Sequence, residues 1–181
     1  MTTILFPDNT VLINFALLNR VDILDRIMRG QGRWCAAVSD ECAQSAKEVG
    51  LEAMAAYPAI LGSPLYPATP AEHLEVRLLR DRLVGPGDGP TRHLGEAETV
   101  AIISGRQIDA AFATDDRDAR MLADMRGITT YTTWDLLRLA GKVKLVDTDT
   151  LWGYVLTLRA RARGNPPGVH DRRSFDLTWF G

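Results

Sequence analysis

The pattern of apolar and polar positions predicts short buried strands separated by amphipathic helices. Compact apolar runs of strand length occur at TTILF (2–6), RWCAAV (33–38), IDAAFAT (108–114) and ITTY (128–131). Apolar residues recurring every three or four positions predict helices at 10–18, 20–28, 41–56, 70–84, 94–107, 115–127, 132–141 and 147–164. Stretches with proline and glycine at 57–70 and 85–92 predict loops. Strands that alternate with helices indicate an α/β fold, with a central parallel sheet and helices on both faces.

Length and composition set the size and the surroundings of this fold. A chain of 181 residues can bury one sizeable core, so we expect residues 1–145 to form one domain on which the helix and tail of 146–181 pack. A charged content of 24% and a net charge of −2 exclude a broadly basic, nucleic-acid-binding surface. The two cysteines lack partners at metal-ligand spacing, which fits a reducing compartment. We find no pattern of a signal peptide or of a membrane span, so we expect a cytoplasmic protein.

Acidic residues cluster where the predicted strands end. They are Asp8 after the first strand, Asp40 and Glu41 after the second, Asp115, Asp116 and Asp118 after the third, and Glu96 and Glu98 at the start of the helix before that third strand. Because ligands bind outside the carboxyl ends of parallel strands, acids from distant segments can meet in one cleft. Each acid alone has an ordinary explanation as a helix cap or as a first-turn residue favoured by the helix dipole. Three acids within four positions exceed what capping needs, and Asp115 is the best candidate for the cap.

A cleft lined by carboxylates favours a hard divalent cation. Mg²⁺ and Mn²⁺ take oxygen ligands, whereas zinc more often recruits histidine or cysteine, which we do not expect among these acids. Without a cation, the carboxylates would repel one another and bind protons. With a cation, the available chemistry is metal-assisted hydrolysis, above all of phosphodiesters. The acids therefore predict a metal-dependent hydrolase.

Three segments, in this order, resemble the PIN domain family and particularly its VapC-type bacterial toxins. They are PDNTVLINFALL (7–18), HLGEAETVAI (93–102) and ATDDRDARML (113–122). The resemblance extends over roughly residues 1–145. It implies a three-layer α/β/α fold, an acidic pocket that binds Mg²⁺ or Mn²⁺, and endoribonuclease activity on single-stranded RNA. It also implies a homodimer and, for a toxin, an antitoxin protein that neutralises it.

The resemblance also assigns roles to residues. Catalysis and metal binding are assigned to Asp8, Glu96 and Asp116, the outer metal shell to Asp118, and supporting roles to Thr10, Thr114, Asp115, Glu98 and Glu41. Thr10 would hold Asp8 in place, Thr114 would line the pocket, and Glu98 competes with Glu96 for the same role. The chain departs from the family pattern in the helix after the second strand, where an acid is usual. Here Glu41, Glu48 or no acid fills that position, because the counterpart positions carry glutamine and serine.

Binding of RNA requires cationic side chains near the pocket. Arg117 and Arg120 flank the acidic helix start, and Arg159 and Arg161 belong to a basic stretch near the end of the last predicted helix. Basic residues in a last helical turn are also favoured by the helix dipole alone, so both explanations stay open. Two other functions stay open as well. One is a catalytically weak or inactive PIN-like module that binds RNA or protein, and the other is a phosphatase with Asp8 as its nucleophile.

Overall fold

The computed structural model describes residues 3–180 and has an α/β fold. Its strands are β1 (Ile4–Pro7), β2 (Ala110–Ala113) and β3 (Thr129–Tyr131), which form a parallel sheet in the order β1-β2-β3. The α-helices are α1 (Asn9–Leu17), α2 (Val21–Met28), α3 (Ala36–Ser45), α4 (Tyr57–Leu61), α5 (Pro70–Leu83), α6 (Leu94–Gly105), α7 (Arg117–Asp124), α8 (Thr133–Lys142), α9 (Thr148–Ala160) and α10 (Arg172–Phe180). A short 3-10 helix, Glu52–Ala56, precedes α4. The prediction of an α/β fold with a central parallel sheet is confirmed; residue 2 of the first predicted strand lies outside the described residues.

The strand predicted at 33–38 is wrong. Cys35 forms an isolated bridge with Leu65, and α3 begins at the next residue. Alanines at 36 and 37 favour a helix, and an apolar run this short does not distinguish a strand from a buried helix. The helix predicted at 41–56 is interrupted, because α3 ends at Ser45 and Gly50 adopts a positive φ of 88° before the 3-10 helix. The stretch 57–70, predicted as a loop, begins with α4, whose first turn accommodates a proline.

Alternating residues of the strands contact two separate apolar clusters. Leu5 and Ala111 belong to a cluster built with α1, α2, α3, α8 and α9, whereas Phe6 and Phe112 belong to a cluster built with α5, α6 and α7. Because successive side chains of a strand point to opposite faces, helices cover both faces of the sheet. Helix α10 joins the first cluster through its buried aromatic side chains at 175 and 179, so the C-terminal tail docks on the body of the fold.

The parallel register brings the carboxyl ends of β1 and β2 together. Pro7 pairs with Ala113, and the backbone N–H of Asp8 donates to the carbonyl of Ala113 at 2.8 Å. Helix α1 starts directly after β1, and α7 starts shortly after β2. The N-termini of both helices therefore lie at one edge of the sheet, which is the edge where ligands bind in parallel α/β folds. Within residues 3–180, we find no helix of the length and apolarity needed to cross a membrane.

Candidate metal centre

Asp8 is the N-cap of α1 at the end of β1. Its carboxylate accepts hydrogen bonds from the backbone N–H of Asn9 and the hydroxyl of Thr10, both at 2.7 Å, and from the hydroxyl of Thr114 at 3.4 Å. Only 2% of Asp8 is exposed. Burial, followed by the negative charge of Glu96, raises the pKa of Asp8 to about 6 although its hydrogen bonds act in the opposite direction. The two threonines thus fix the position of an acid that is costly to ionise.

Glu41 extends from the middle of α3 into the same pocket. Burial raises the pKa of Glu41 to about 7, the charges of Asp8 and Glu96 add to the effect, and the backbone N–H of Gly95 opposes it. Glycine at 95 permits this close approach, since a Cβ atom there would lie 3.2 Å from Oε1 of Glu41. Glu48 is exposed beyond the end of α3. Of the two glutamates considered from the sequence, Glu41 is therefore the one that lines the pocket.

The start of α6 contributes His93 and Glu96. The two side chains are 10% and 14% exposed, and Nδ1 of His93 lies 3.3 Å from Oε1 of Glu96. Glu98 is directed elsewhere, because it accepts the backbone N–H of Ala37 at the start of α3 at 3.3 Å. Burial raises the pKa of Glu98, and the N–H groups of Ala37 and Ala36 partly offset this increase. The structure thus separates the two glutamates of the GEAE sequence into a pocket residue and a capping residue.

Asp116 combines a structural contact with a place in the pocket. It is the N-cap of α7, where its Oδ1 accepts the backbone N–H of Ala119 at 2.8 Å. Its own backbone N–H donates to the hydroxyl of Thr114 at 3.2 Å, and that hydroxyl donates to Asp8. A chain of hydrogen bonds therefore links the two aspartates at the ends of β1 and β2. Asp118 is exposed on the first turn of α7, outside the lining of the pocket.

Asp115 is not the helix cap that the sequence indicated. Its carboxylate accepts the backbone N–H and the hydroxyl of Thr133 at 2.8 and 2.6 Å, and the side-chain amide of Asn14 at 2.8 Å. Asn14 in turn accepts Nε of Arg163 at 2.6 Å. These partners are distant along the chain, so a local capping rule could not identify them. Asp115 joins α1, α8 and the segment after α9 next to the pocket.

The pocket at this edge of the sheet encloses about 590 Å³. We call it the acidic pocket, because its lining includes five acidic residues, namely Asp8, Glu41, Glu96, Asp116 and the exposed Asp40. Ligand atoms of His93, Glu96 and Asp116 lie within 4.8 Å of one another. This cluster could hold a metal ion.

The arginines predicted to contact RNA lie outside the lining of the acidic pocket. Arg117 and Arg161 are exposed. Arg120 donates to the backbone carbonyl of Asp115 at 3.2 Å. Arg159 donates to the side chain of Asn165 at 2.8 Å, and its guanidinium carbon lies 5.8 Å from the centre of the Trp152 ring. Both Arg120 and Arg159 therefore have contacts within the protein that account for their positions.

Sequence reasoning missed two basic residues that do line the pocket, Arg92 and His93. Both directly precede α6, and Nε of Arg92 donates to Nε2 of His93 at 3.4 Å. The sequence feature that could have identified His93 is its spacing from Glu96, because residues three apart at a helix start share one face. The sequence predicted only carboxylates here, and the structure adds an imidazole.

Comparisons with known proteins do not assign a family. No protein-family model matches the chain, and comparisons with curated proteins and with solved structures find no significant match. The resemblance to the PIN domain family therefore stays a prediction.

Proposed function

We propose that the protein is a divalent-metal-dependent endoribonuclease that hydrolyses phosphodiester bonds in single-stranded RNA, with a PIN-like three-layer fold. The observation that carries the proposal is the convergence of five carboxylates from four separate parts of the chain in one pocket. Like charges in one pocket repel one another unless a cation balances them. The proposed roles as a toxin, as a homodimer and as the target of an antitoxin rest on the resemblance alone.

The donor set of the acidic pocket fits a divalent cation such as Mg²⁺ or Mn²⁺. Carboxylate oxygens are the preferred ligands of these ions. The pKa values of Asp8 and Glu41 are raised to about 6 and about 7, as expected for buried acids with unbalanced negative charge around them. Glu96 is central, because its charge acts on both of these acids and its carboxylate contacts His93. Asp8, Glu96 and Asp116 would hold the cation.

The bound cation would supply Lewis-acid chemistry that activates water and balances charge on the scissile phosphate. The chain's own residues prepare the site for it. Thr10 and Thr114 hold Asp8, and the N–H of Ala119 holds Asp116. Glu41, whose pKa is raised to about 7, can accept a proton from water near neutral pH. Arg92 is exposed at the rim, where it can contact a phosphate of the RNA backbone.

The phosphatase alternative has less support. A nucleophilic carboxylate must reach the phosphorus atom, whereas Asp8 is 2% exposed and accepts three hydrogen bonds. A non-catalytic module would keep the pocket and its ligands but would not cleave RNA. The nuclease assay below separates that module from an enzyme.

The decisive experiment measures cleavage of a fluorescent single-stranded RNA with Mn²⁺ or Mg²⁺. Asp116→Asn keeps the oxygen that caps α7 but removes a charged ligand, so we expect cleavage to fall about a hundredfold or more. Asp124→Asn, an exposed aspartate at the end of the same helix, is the matched control. Wild-type protein that cuts no RNA with either cation, or equal rates in wild type and Asp116→Asn, would refute the proposal.

A further inference from the structure

His93 differs from every other side chain of the metal-binding cluster in offering nitrogen. Its imidazole is 10% exposed, and it belongs to the same group of ligand atoms, all within 4.8 Å of one another, as Glu96 and Asp116. The chain's other histidines, His73 and His170, are exposed. His93 therefore lies where it could contact an ion together with Glu96 and Asp116, and no carboxylate-only description of the pocket includes it.

We infer that His93 supplies a nitrogen ligand, so that the site takes Mn²⁺ or a later first-row transition dication in preference to Mg²⁺. This inference rests on the proposed metal centre and specifies its ion. Mg²⁺ strongly prefers oxygen ligands, whereas imidazole is a common ligand of transition-metal ions. A nitrogen ligand in place of one oxygen therefore favours the transition-metal ion over Mg²⁺, while the other ligands of the site stay the same.

The hydrogen bonds of His93 are compatible with this role. Nδ1 lies against Oε1 of Glu96 at 3.3 Å, and Nε2 accepts from Nε of Arg92 at 3.4 Å. A cation shared by Nδ1 and Glu96 requires the ring proton to sit on Nε2. Arg92 must then release its contact with Nε2. That contact is long and Arg92 is exposed, so breaking it costs little.

The backbone of His93 determines which substitution tests the inference. His93 adopts a left-handed conformation with φ of 60°, and its carbonyl accepts the N–H of Ala97 at 3.2 Å. Asparagine tolerates this conformation better than most residues. Its side-chain oxygen can also occupy the place of Nδ1. His93→Asn therefore exchanges nitrogen for oxygen with little strain, and His73→Asn is the matched control on an exposed histidine.

The test is direct detection of nitrogen on bound Mn²⁺. Electron spin-echo envelope modulation of the Mn²⁺-loaded, untagged protein should show coupling to an imidazole ¹⁴N nucleus. The coupling should disappear in His93→Asn and persist in His73→Asn. By titration calorimetry, His93→Asn should weaken Mn²⁺ binding about tenfold or more and change Mg²⁺ binding less than about threefold.

Mn²⁺ that binds without an imidazole signal, or a signal that survives His93→Asn, overturns the inference, as does a failure of Mn²⁺ to bind at all. RNA cleavage is scored separately. Protein that cleaves RNA without nitrogen coupling keeps the proposed function and loses the inference. Protein that shows the coupling, and loses it in His93→Asn, but cleaves no RNA supports the inference and removes the proposed nuclease.

Discussion

The acids of the pocket differ from two acids beside it, the half-buried Asp115 and the buried Glu98, in what surrounds their carboxylates. Asp115 receives three hydrogen bonds from Thr133 and Asn14, and Glu98 lies against the backbone N–H groups that start α3. The pocket acids share a cavity with one another, although Asp8 also accepts three hydrogen bonds and Asp116 accepts one. After burial, neighbouring negative charge is the largest cause of the raised pKa of Asp8 and Glu41, whereas for Glu98 the charge of Asp40 acts more weakly than the N–H groups of α3 that oppose it.

This difference separates acids that serve the fold alone from acids that also face the pocket, where a ligand can reach them. A buried carboxylate with several donors is compensated within the protein, and removing it leaves those donors without a partner. A buried carboxylate that faces other carboxylates is compensated by a proton or by an external cation. Position in the sequence does not reveal the difference, because Asp115 adjoins Asp116 and Glu98 is two residues from Glu96.

Removing Asp115 should cause the largest change in stability. We expect Asp115→Ala to lower the free energy of unfolding by about 3 kcal/mol, because it leaves buried donors of Thr133 and Asn14 unpaired. Urea unfolding with chelator present measures this loss. The exposed-site variant Asp124→Ala should change stability by less than about 0.5 kcal/mol. If the two variants proved equally stable, the network around Asp115 would not be structural.

A comparison of Glu96→Gln with Glu98→Gln tests the same distinction through metal binding. Free Mn²⁺ at one hundred times its Kd should stabilise the wild-type protein by about 2.7 kcal/mol, because the ion binds only the folded state. Glu96→Gln should lose most of this gain, since Glu96 belongs with His93 and Asp116 to the cluster that could hold a metal ion. Glu98→Gln should retain it, since Glu98 lies against α3. Thermal melting with and without Mn²⁺ gives the gain for each variant. If Glu98→Gln lost the gain and Glu96→Gln kept it, Glu98 and not Glu96 would be the metal ligand.

The parts of the fold that could be predicted from the sequence are those that local patterns determine. The strands at 110–113 and 129–131 and the helices around 70–83 and 94–105 fall within the predicted ranges, because their apolar periodicity is long or is bounded by turn residues. The segment 33–38 could not be resolved in this way. Its few apolar residues fit either structure, and its bridge to Leu65 depends on a loop some thirty residues further along.

The candidate site could be predicted from the sequence only through the rule that the carboxyl ends of parallel strands meet at one edge of the sheet. That rule led to Asp8 and to the aspartates after β2, and the resemblance to the PIN domain family selected Asp116 and Glu96; Asp8, Glu96 and Asp116 all line the pocket. It could not rank Glu41 against Glu48, because the choice depends on how closely α6 approaches α3 at Gly95. It also could not find His93, whose backbone lies in a left-handed turn before α6, a conformation that no apolar pattern indicates.

The smallest effect that we predict is a gain in stability, for Asp8→Asn without metal. Folding raises the pKa of Asp8 from 3.8 to about 6, so the folded protein binds the proton more tightly than the unfolded chain. The native state is then destabilised progressively as the pH rises from about 4 to 6, and fully above that range. Asparagine keeps a hydrogen-bond acceptor for the cap of α1 and cannot ionise. The raised pKa corresponds to about 3 kcal/mol at pH 8, and weaker hydrogen bonds from Thr10 and Thr114 to a neutral side chain offset part of it, so we expect the variant to be about 2 kcal/mol more stable than wild type.

The control for this prediction is the pH itself. At pH 4 Asp8 is largely protonated in the folded state, so the advantage of Asp8→Asn should disappear there. Chemical unfolding at both pH values with chelator present gives the comparison, and Asp124→Asn reports any general effect of losing an aspartate charge. Adding Mn²⁺ at pH 8 should reverse the order of stability, because Asp8 is a proposed ligand of the ion and only the wild type keeps it charged. A variant that is less stable than wild type at pH 8 with chelator present would show that Asp8 is compensated within the protein, as Asp115 is.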